Sequence, residues 1–269
     1  MLPRIGLLGV GRMGGPILTA LEAAGFDVLA FDPVTRPGPG DAAVIEHAEI
    51  LLTVLPGAFE LPVVHDTLVL DLTSNDPRHA ERAALVGVSV VGAPMGGGVV
   101  AASNRSLRFF VGGSPGNVER ARPVLEALGT IDHVGHGVGD GYVAKLLANL
   151  LWFGQVVAVS EALLLGQALG VPPARLSSSL ATSAGASAFI DKHLPALLAG
   201  DYLEDFGIDR VVEELEILVS LAADNRIPFE LSTLVTRLHR EALDRFGAVD
   251  GELLAARLLE QRAGRELRG

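Results

Sequence analysis

The segment Gly9-Val-Gly-Arg-Met-Gly14 constrains this chain more than any other stretch. It is a GxGxxG turn set between a short apolar run at residues 4–10 and a helical pattern over Pro16–Ala24. Ile17, Leu18 and Leu21 fall at helical spacing, Gly25 ends that helix, and Asp27–Phe31 reads as a second strand closed by Asp32-Pro33. A strand, a helix and a strand within about 30 residues imply a parallel pair joined by a crossover. Each glycine then has its own work. Gly9 permits the tight turn, Gly11 lets bare backbone approach a pyrophosphate, and Gly14 lets helix and strand pack closely, while the helix N-terminus faces the phosphate charge. Gly9, Gly11 and Gly14, with Arg12 and Met13 between them, are therefore candidate cofactor-binding residues. Asp32 follows Gly14 by eighteen residues, where a carboxylate takes the hydroxyls of an adenosine ribose. A negative charge there repels the extra phosphate of NADP, so NAD is the expected cofactor and NADP the lesser alternative. Arg36, four residues on, could reach such a phosphate, but a solvated loop position accounts for it as well.

Further short strands are expected at Ile50–Val54, Leu68–Leu72, Val88–Val91 and Arg108–Gly112, with room for one helix between neighbours. Beyond Gly141 the pattern changes. Tyr142–Leu169 is almost continuous helix former, Gly170-Val-Pro-Pro stops it, and the rest has helical periodicity. The expected class is α/β: an N-terminal Rossmann domain with a parallel-type sheet at residues 1–138, then an all-α domain at 139–269, joined by the long helix. No internal repeat or low-complexity segment interrupts it.

Composition removes several function classes. A formal charge of −11 and a pI near 5.1 oppose binding to nucleic acid or anionic lipid. There is no cysteine, so disulfides, thiolate zinc sites and a Cys nucleophile drop out together. Of the seven histidines, the closest pair, His133 and His136, lies in a glycine-rich stretch without ligand spacing, and no metal is expected. The first residues carry Arg4 and reach a glycine turn too soon for the apolar core of a signal peptide. The uncharged run Leu146–Ser160 within that helical stretch is shorter than the ~20 residues of a bilayer span. No membrane partner is expected, and the cytoplasm is the default location.

In Gly139-Asp-Gly-Tyr-Val-Ala-Lys-Leu-Leu-Ala-Asn149, Lys145 interrupts an apolar helix and Asn149 lies one turn further on the same face. A lysine amid Leu146, Leu147, Leu150, Leu151 and Trp152 is costly to bury charged. Enclosed, it is a proton donor and acceptor that an amide four residues on could hold in line. The helix alone leaves a second reading open, in which Lys145 extends to the surface with its stem packed.

These segments resemble the β-hydroxyacid dehydrogenase family. Gly9-Val-Gly-Arg-Met-Gly-Gly-Pro-Ile17 is similar to its glycine signature and Leu55-Pro56 to its turn after a strand. Asp71-Leu-Thr-Ser74 resembles its segment beside the nicotinamide, Ala93-Pro-Met-Gly-Gly-Gly98 its substrate loop, and Gly139, Gly141, Lys145 and Asn149 its catalytic segment. The resemblance implies reversible hydride transfer between NAD(P) and a small β-hydroxyacid or its semialdehyde. Lys145 is then the acid/base and Asn149 its helper. Leu55, Pro56 and Ser74 join the cofactor-binding set, and Thr73, Gly96, Gly97 and Gly98 the substrate-binding set. It also implies a homodimer built by the helical domain, with specificity set around Leu180–Phe189 and Phe206. Three departures stand out. Gly96-Gly97-Gly98 replaces the family's Ser-Gly-Gly, Glu213-Glu214 replaces a Lys-Asp pair, and the stretches 36–49 and 57–67 are shorter than usual. They keep two alternatives open: reduction of imines or uncharged aldehydes, and dinucleotide binding without catalysis.

Overall fold

A computed structural model describes all residues from Met1 to Gly269, and these divide into two compact units, Met1–Leu146 and Leu147–Gly269. The first unit runs β1 (Ile5–Leu8), α1 (Gly14–Ala23), β2 (Val28–Phe31), α2 (Asp41–His47), β3 (Ile50–Thr53), β4 (Leu68–Asp71), α3 (Pro77–Leu85), β5 (Ser89–Gly92), β6 (Met95–Gly96), α4 (Gly98–Ser103), β7 (Leu107–Gly112), α5 (Pro115–Leu128) and β8 (Gly129–Gly135), and ends within α6 (Asp140–Ala168).

The strands form one sheet in the order β2-β1-β3-β4-β5-β7-β6, with β8 beside β7. From β2 to β5 all neighbours are parallel. Every residue of β3 and β4 is buried, as expected of four-residue strands covered on both faces. The register is level, so Phe31, Leu8, Thr53, Asp71 and Gly92 form one row of paired residues across the carboxyl ends of these strands. The chain leaves β1 for one side and reaches β3 on the other, which makes the crevice above β1 and β3 the topological switch point where open α/β sheets bind ligands.

α1 buries Ile17, Leu18 and Leu21 on the sheet. It stops where Gly25 turns left-handed at φ +87°, with Phe26 N–H donating to the Leu21 carbonyl at 3.1 Å. The main core joins α1, α5 and the strands through Ile5, Leu21, Leu52, Leu70, Phe109 and Leu125.

The sheet departs from a purely parallel one beyond β5. β7 is antiparallel to both β5 and β6, and β8 runs parallel to β7. Only two-residue β6 and six-residue α4 lie between β5 and β7, so the chain doubles back where a full crossover helix would have kept it parallel. Of the two stretches read as shortened, 36–49 keeps the two-turn α2 and 57–67 holds no helix.

The second unit contains the rest of α6, then α7 (Pro173–Leu180), α8 (Ala188–Lys192), α9 (Leu194–Leu198), α10 (Ile208–Asp224), α11 (Glu230–Phe246) and α12 (Leu254–Ala263). Val156, Leu163, Phe189, Leu194, Leu197 and Ala256 are among its core residues. At 29 residues α6 is long and apolar enough to cross a bilayer by length and composition, although Lys145 and Glu161 lie along it.

Candidate functional site

The glycine turn follows β1 directly and rises from the paired row at the switch point. Gly9 has φ +95°, and a Cβ there would strike the Val54 carbonyl after β3. A Cβ at Gly14 would strike the carbonyl of Gly9, so the turn closes on itself only because both side chains are absent. Gly11 differs: it is exposed, and a Cβ would meet nothing within 4 Å. Arg12 is exposed beside it, and Met13 is half-buried against the core. What results is bare backbone open to solvent at the start of a ten-residue helix, a donor-rich surface that fits a pyrophosphate.

Asp32 braces this turn. One carboxylate oxygen accepts from Val10 N–H at 3.0 Å, and the other accepts from Val34 and Thr35 N–H at 2.8 and 2.9 Å. The backbone donors of Thr35, Val10 and Val34 lower its pKa to about 2, so it is ionised at neutral pH. Three of its lone-pair directions are thus engaged by backbone, which leaves one for a ribose hydroxyl. Arg36 is exposed, and its backbone forms a two-bond bridge with that of Asp32.

Two strands along the row, a second centre is closed where the glycine turn is open. Asp71 is completely buried at the end of β4 and accepts four hydrogen bonds. They come from Thr53 Oγ1 at 2.7 Å, Thr73 N–H at 3.0 Å, Asn75 Nδ2 at 3.1 Å and Tyr142 Oη at 2.9 Å. Burial pushes the Asp71 pKa up, against the pull of those donors. Burial and the neighbouring Asp71 charge push Tyr142 well above the usual tyrosine range, so the phenol keeps its proton and donates it.

Thr73, read from the sequence as a substrate ligand, is a brace here. It is 5% exposed; its hydroxyl accepts from Leu55 N–H at 3.0 Å and donates to the Thr53 carbonyl. The hydroxyl thereby fixes the turn in which Leu55 is half-buried and Pro56 exposed, and Ser74 follows it half-buried. Asn75 continues the network to the backbone of Phe59 and to the His79 ring.

The loop Gly96–Gly98 follows with two left-handed residues, Gly97 at φ +113° and Gly98 at φ +65°, both exposed. Such a backbone turns consecutive N–H groups to one side, suiting an oxyanion. At Gly96 a Cβ would meet only ordinary contacts, Phe110 Cε2 at 3.7 Å and the Arg108 carbonyl at 3.8 Å, so nothing steric bars a serine there.

α6 begins hard against the sheet. A Cβ on Gly141 would strike the Phe110 carbonyl and lie 2.7 Å from the Gly92 carbonyl and 2.9 Å from Gly112 N, while the Tyr142 ring covers Gly92. Lys145 is half-buried one turn later. In the second unit Asn149 Nδ2 donates to Glu214 Oε2 at 2.5 Å, and Glu214 is 4% exposed. Glu213 instead pairs with Arg210 at 3.0 Å.

The role of Glu214 as partner of the amide, and those of Tyr142 and Asp71, escape sequence reasoning. The available signals were an acid ending an otherwise apolar strand and a tyrosine directly after Gly139-Asp-Gly141 on the approach to Lys145. His133 lies on edge strand β8 with its ring facing that of His136, and no group of three His, Asp or Glu has metal-binding proximity.

Comparison with known proteins adds five findings. Residues 43–137 match the NAD-binding domain of 6-phosphogluconate dehydrogenase, and residues 139–259 match the domain described as NAD-binding of NADP-dependent 3-hydroxyisobutyrate dehydrogenase. A 3-hydroxyisobutyrate dehydrogenase of Pseudomonas aeruginosa is 34% identical over 220 residues, 71% of this chain and 73% of the relative. The 2-(hydroxymethyl)glutarate dehydrogenase of Eubacterium barkeri is 27% identical over 264 residues, 87% of each chain. The solved structure of Mycobacterium tuberculosis 3-hydroxyisobutyrate dehydrogenase with L-serine superposes at a TM-score of 0.82 and 24% identity, covering 96% of this chain and 99% of that one.

Proposed function

The chain belongs to the β-hydroxyacid dehydrogenase family, and we propose that it reversibly oxidises a small acid bearing a hydroxymethyl group beside its carboxylate, with Lys145 as the acid/base. It is an NAD(P)-dependent oxidoreductase of the hydroxyacid class. The substrate proposal follows from shared chemistry: 3-hydroxyisobutyrate and 2-(hydroxymethyl)glutarate, named for the relatives, and the L-serine of the Mycobacterium tuberculosis structure each carry a hydroxymethyl group on the carbon that bears a carboxylate.

The observation that carries the reading is the level row across the sheet. The glycine turn, the Leu55-Pro56 turn and the Asp71–Ser74 segment all leave from it, and the first turn of α6, which leads to Lys145, rests on its Gly92 end.

A bound nicotinamide supplies hydride acceptance in one direction and donation in the other. The chain's own residues do the rest. The Lys145 amine takes the hydroxyl proton as the carbinol carbon loses hydride, and in reverse the ammonium protonates the carbonyl oxygen. Asn149, held by Glu214, orients that amine from one turn further along α6. Backbone N–H groups at Gly96–Gly98 take the substrate carboxylate, and Ser74 lies beside the nicotinamide. Ionised Asp32 favours NAD over NADP. The exposed apolar row Leu147, Leu151 and Leu165 on α6, continued by Leu169 just past its end, supports a homodimer, which light scattering reads directly.

The test is oxidation of NADH and NADPH against semialdehydes with and without a carboxylate, and against cyclic imines. Turnover confined to carboxylate-bearing semialdehydes, with NADH preferred, is expected. A higher kcat/KM on imines or uncharged aldehydes would overturn the substrate class.

A further inference from the structure

Two features of the first unit fix how α6 meets the sheet. Gly141 places helix backbone against the backbone of Phe110, Gly92 and Gly112, at a separation no side chain at 141 would allow. Tyr142 then runs its ring over Gly92 and ends on Asp71, wholly buried, with Oη 2.9 Å from Oδ2. In a helix of 3.6 residues per turn, positions 142 and 145 lie on adjacent faces less than one turn apart. The angle at which Tyr142 enters the fold therefore sets the angle at which Lys145 leaves the helix. The carboxylate that receives Tyr142 also receives Thr73 N–H, and Thr73 in turn holds Leu55 N–H. One buried carboxylate thus ties the start of α6 to the two loops read as lining the nicotinamide.

We propose that Tyr142 is a positioning residue for the Lys145 chemistry: its hydroxyl, anchored on Asp71, fixes the rotation and depth of the first turn of α6, and so where Lys145 carries its amine relative to the Leu55-Pro56 and Thr73-Ser74 turns. The inference rests on the reading of Lys145 as the acid/base. Tyr142 touches no reacting atom in this scheme and acts through the helix. The bond is directional and buried, so its loss frees a rotation that packing alone restrains less tightly. Small displacements of a proton-transferring group are costly in rate and nearly silent in binding.

Thr53 provides the control, since it too donates a hydroxyl to Asp71 but from within the sheet, with no link to α6. Tyr142→Phe and Thr53→Val each remove one donor from the same carboxylate and are expected to lower the thermal midpoint alike. In the full-length protein, Tyr142→Phe is expected to cut kcat about tenfold or more. KM for the semialdehyde and the NADH dissociation constant should stay within about twofold, the pattern of an interaction that matters only in the transition state. Thr53→Val should hold kcat within about threefold of the parent. Asp71→Asn keeps the shape of the site and carries the test should Tyr142→Phe fold poorly. It is expected to lower kcat at least as far, with a Tyr142→Phe/Asp71→Asn double variant losing no more. A parental kcat for Tyr142→Phe, equal kcat losses for Tyr142→Phe and Thr53→Val, or an additive double variant would each overturn the proposal. Lys145→Ala separates this from the underlying reading. If it is inactive while Tyr142→Phe is fully active, only the positioning role falls; if it retains full turnover, both fall.

Discussion

The glycine turn after β1 and the Asp71 centre after β4 rise from the same row of the same sheet, yet they are built in opposite ways. The turn is open and nearly free of side chains: Gly11 faces solvent, and Gly9 and Gly14 touch backbone to backbone. The Asp71 centre is closed and made almost wholly of side chains, a buried carboxylate with four donors. The first arrangement leaves backbone donors bare for a ligand. The second satisfies every lone pair internally, and a fully satisfied buried network rigidifies what it joins. Two strands apart, the same sheet thus carries two centres of opposite chemistry, to which the proposed scheme gives binding and alignment.

Between these two centres, breaking the open side has the larger expected effect. Gly14→Ala drives a Cβ into the Gly9 carbonyl, so NADH affinity in a fluorescence titration is expected to fall at least ~100-fold, with the sheet core still folded. Binding at the parental level would show that the turn tolerates a side chain and that Gly14 has no packing role.

The value of saturation is sharpened by a buried group that lacks it. In the second unit His239 is completely buried. Its Nδ1–H donates to the Val235 carbonyl at 2.9 Å, but Nε2 has no hydrogen-bond partner. Burial lowers its pKa from 6.5 to about 4, so the unfolded chain binds a proton more readily than the folded one. The stabilising contribution is full above pH 6.5 and is lost as pH falls from there towards 4, by about 3 kcal/mol for the whole interval. Urea unfolding at pH 7.5 and pH 4.5 should show that loss in the parent and a reduced loss in His239→Phe. Equal losses in both would remove His239 from the account.

Smaller changes probe the Gly96–Gly98 loop, proposed to take the substrate carboxylate by backbone alone. Gly96→Ser fits sterically and adds a hydroxyl beside the oxyanion nest, so KM for a carboxylate-bearing semialdehyde is expected to fall about tenfold, as a hydrogen bond to a charged group would give. No change in KM would place the carboxylate elsewhere. Smallest is Asp32→Asn. Removing the charge while keeping the acceptor for Val10 N–H should raise the NADPH to NADH ratio of kcat/KM roughly fivefold, since a half-buried charge near the surface still acts largely through water.

The open side was legible in the sequence because its signals are local. GxGxxG, its flanking strand and helix, and Asp32 lie within 28 residues of one another, and the local backbone dictates Gly9 and Gly14. The parallel strands were legible for the same reason, as four-residue apolar runs bounded by turns. The closed side was not. Asp71 and Tyr142 are 71 residues apart, and nothing in either segment announces that a helix start will cross β5 to reach the end of β4. Edge strand β8 was also hidden. It begins at Gly129, where α5 ends, and its burial does not alternate cleanly, so neither a turn nor a period-two pattern marks it. Glu214 was read only as half of the Glu213-Glu214 pair that replaces a Lys-Asp pair. Only packing shows it as the acceptor that holds Asn149.

The central claim is that Lys145 moves the proton while the glycine turn holds the dinucleotide. A single-turnover measurement on Lys145→Ala tests it most directly, with preformed enzyme–NADH complex mixed with a carboxylate-bearing semialdehyde. The account predicts NADH binding within about twofold of the parent and a hydride-transfer rate at least ~1000-fold lower. An unchanged transfer rate in that complex would contradict it.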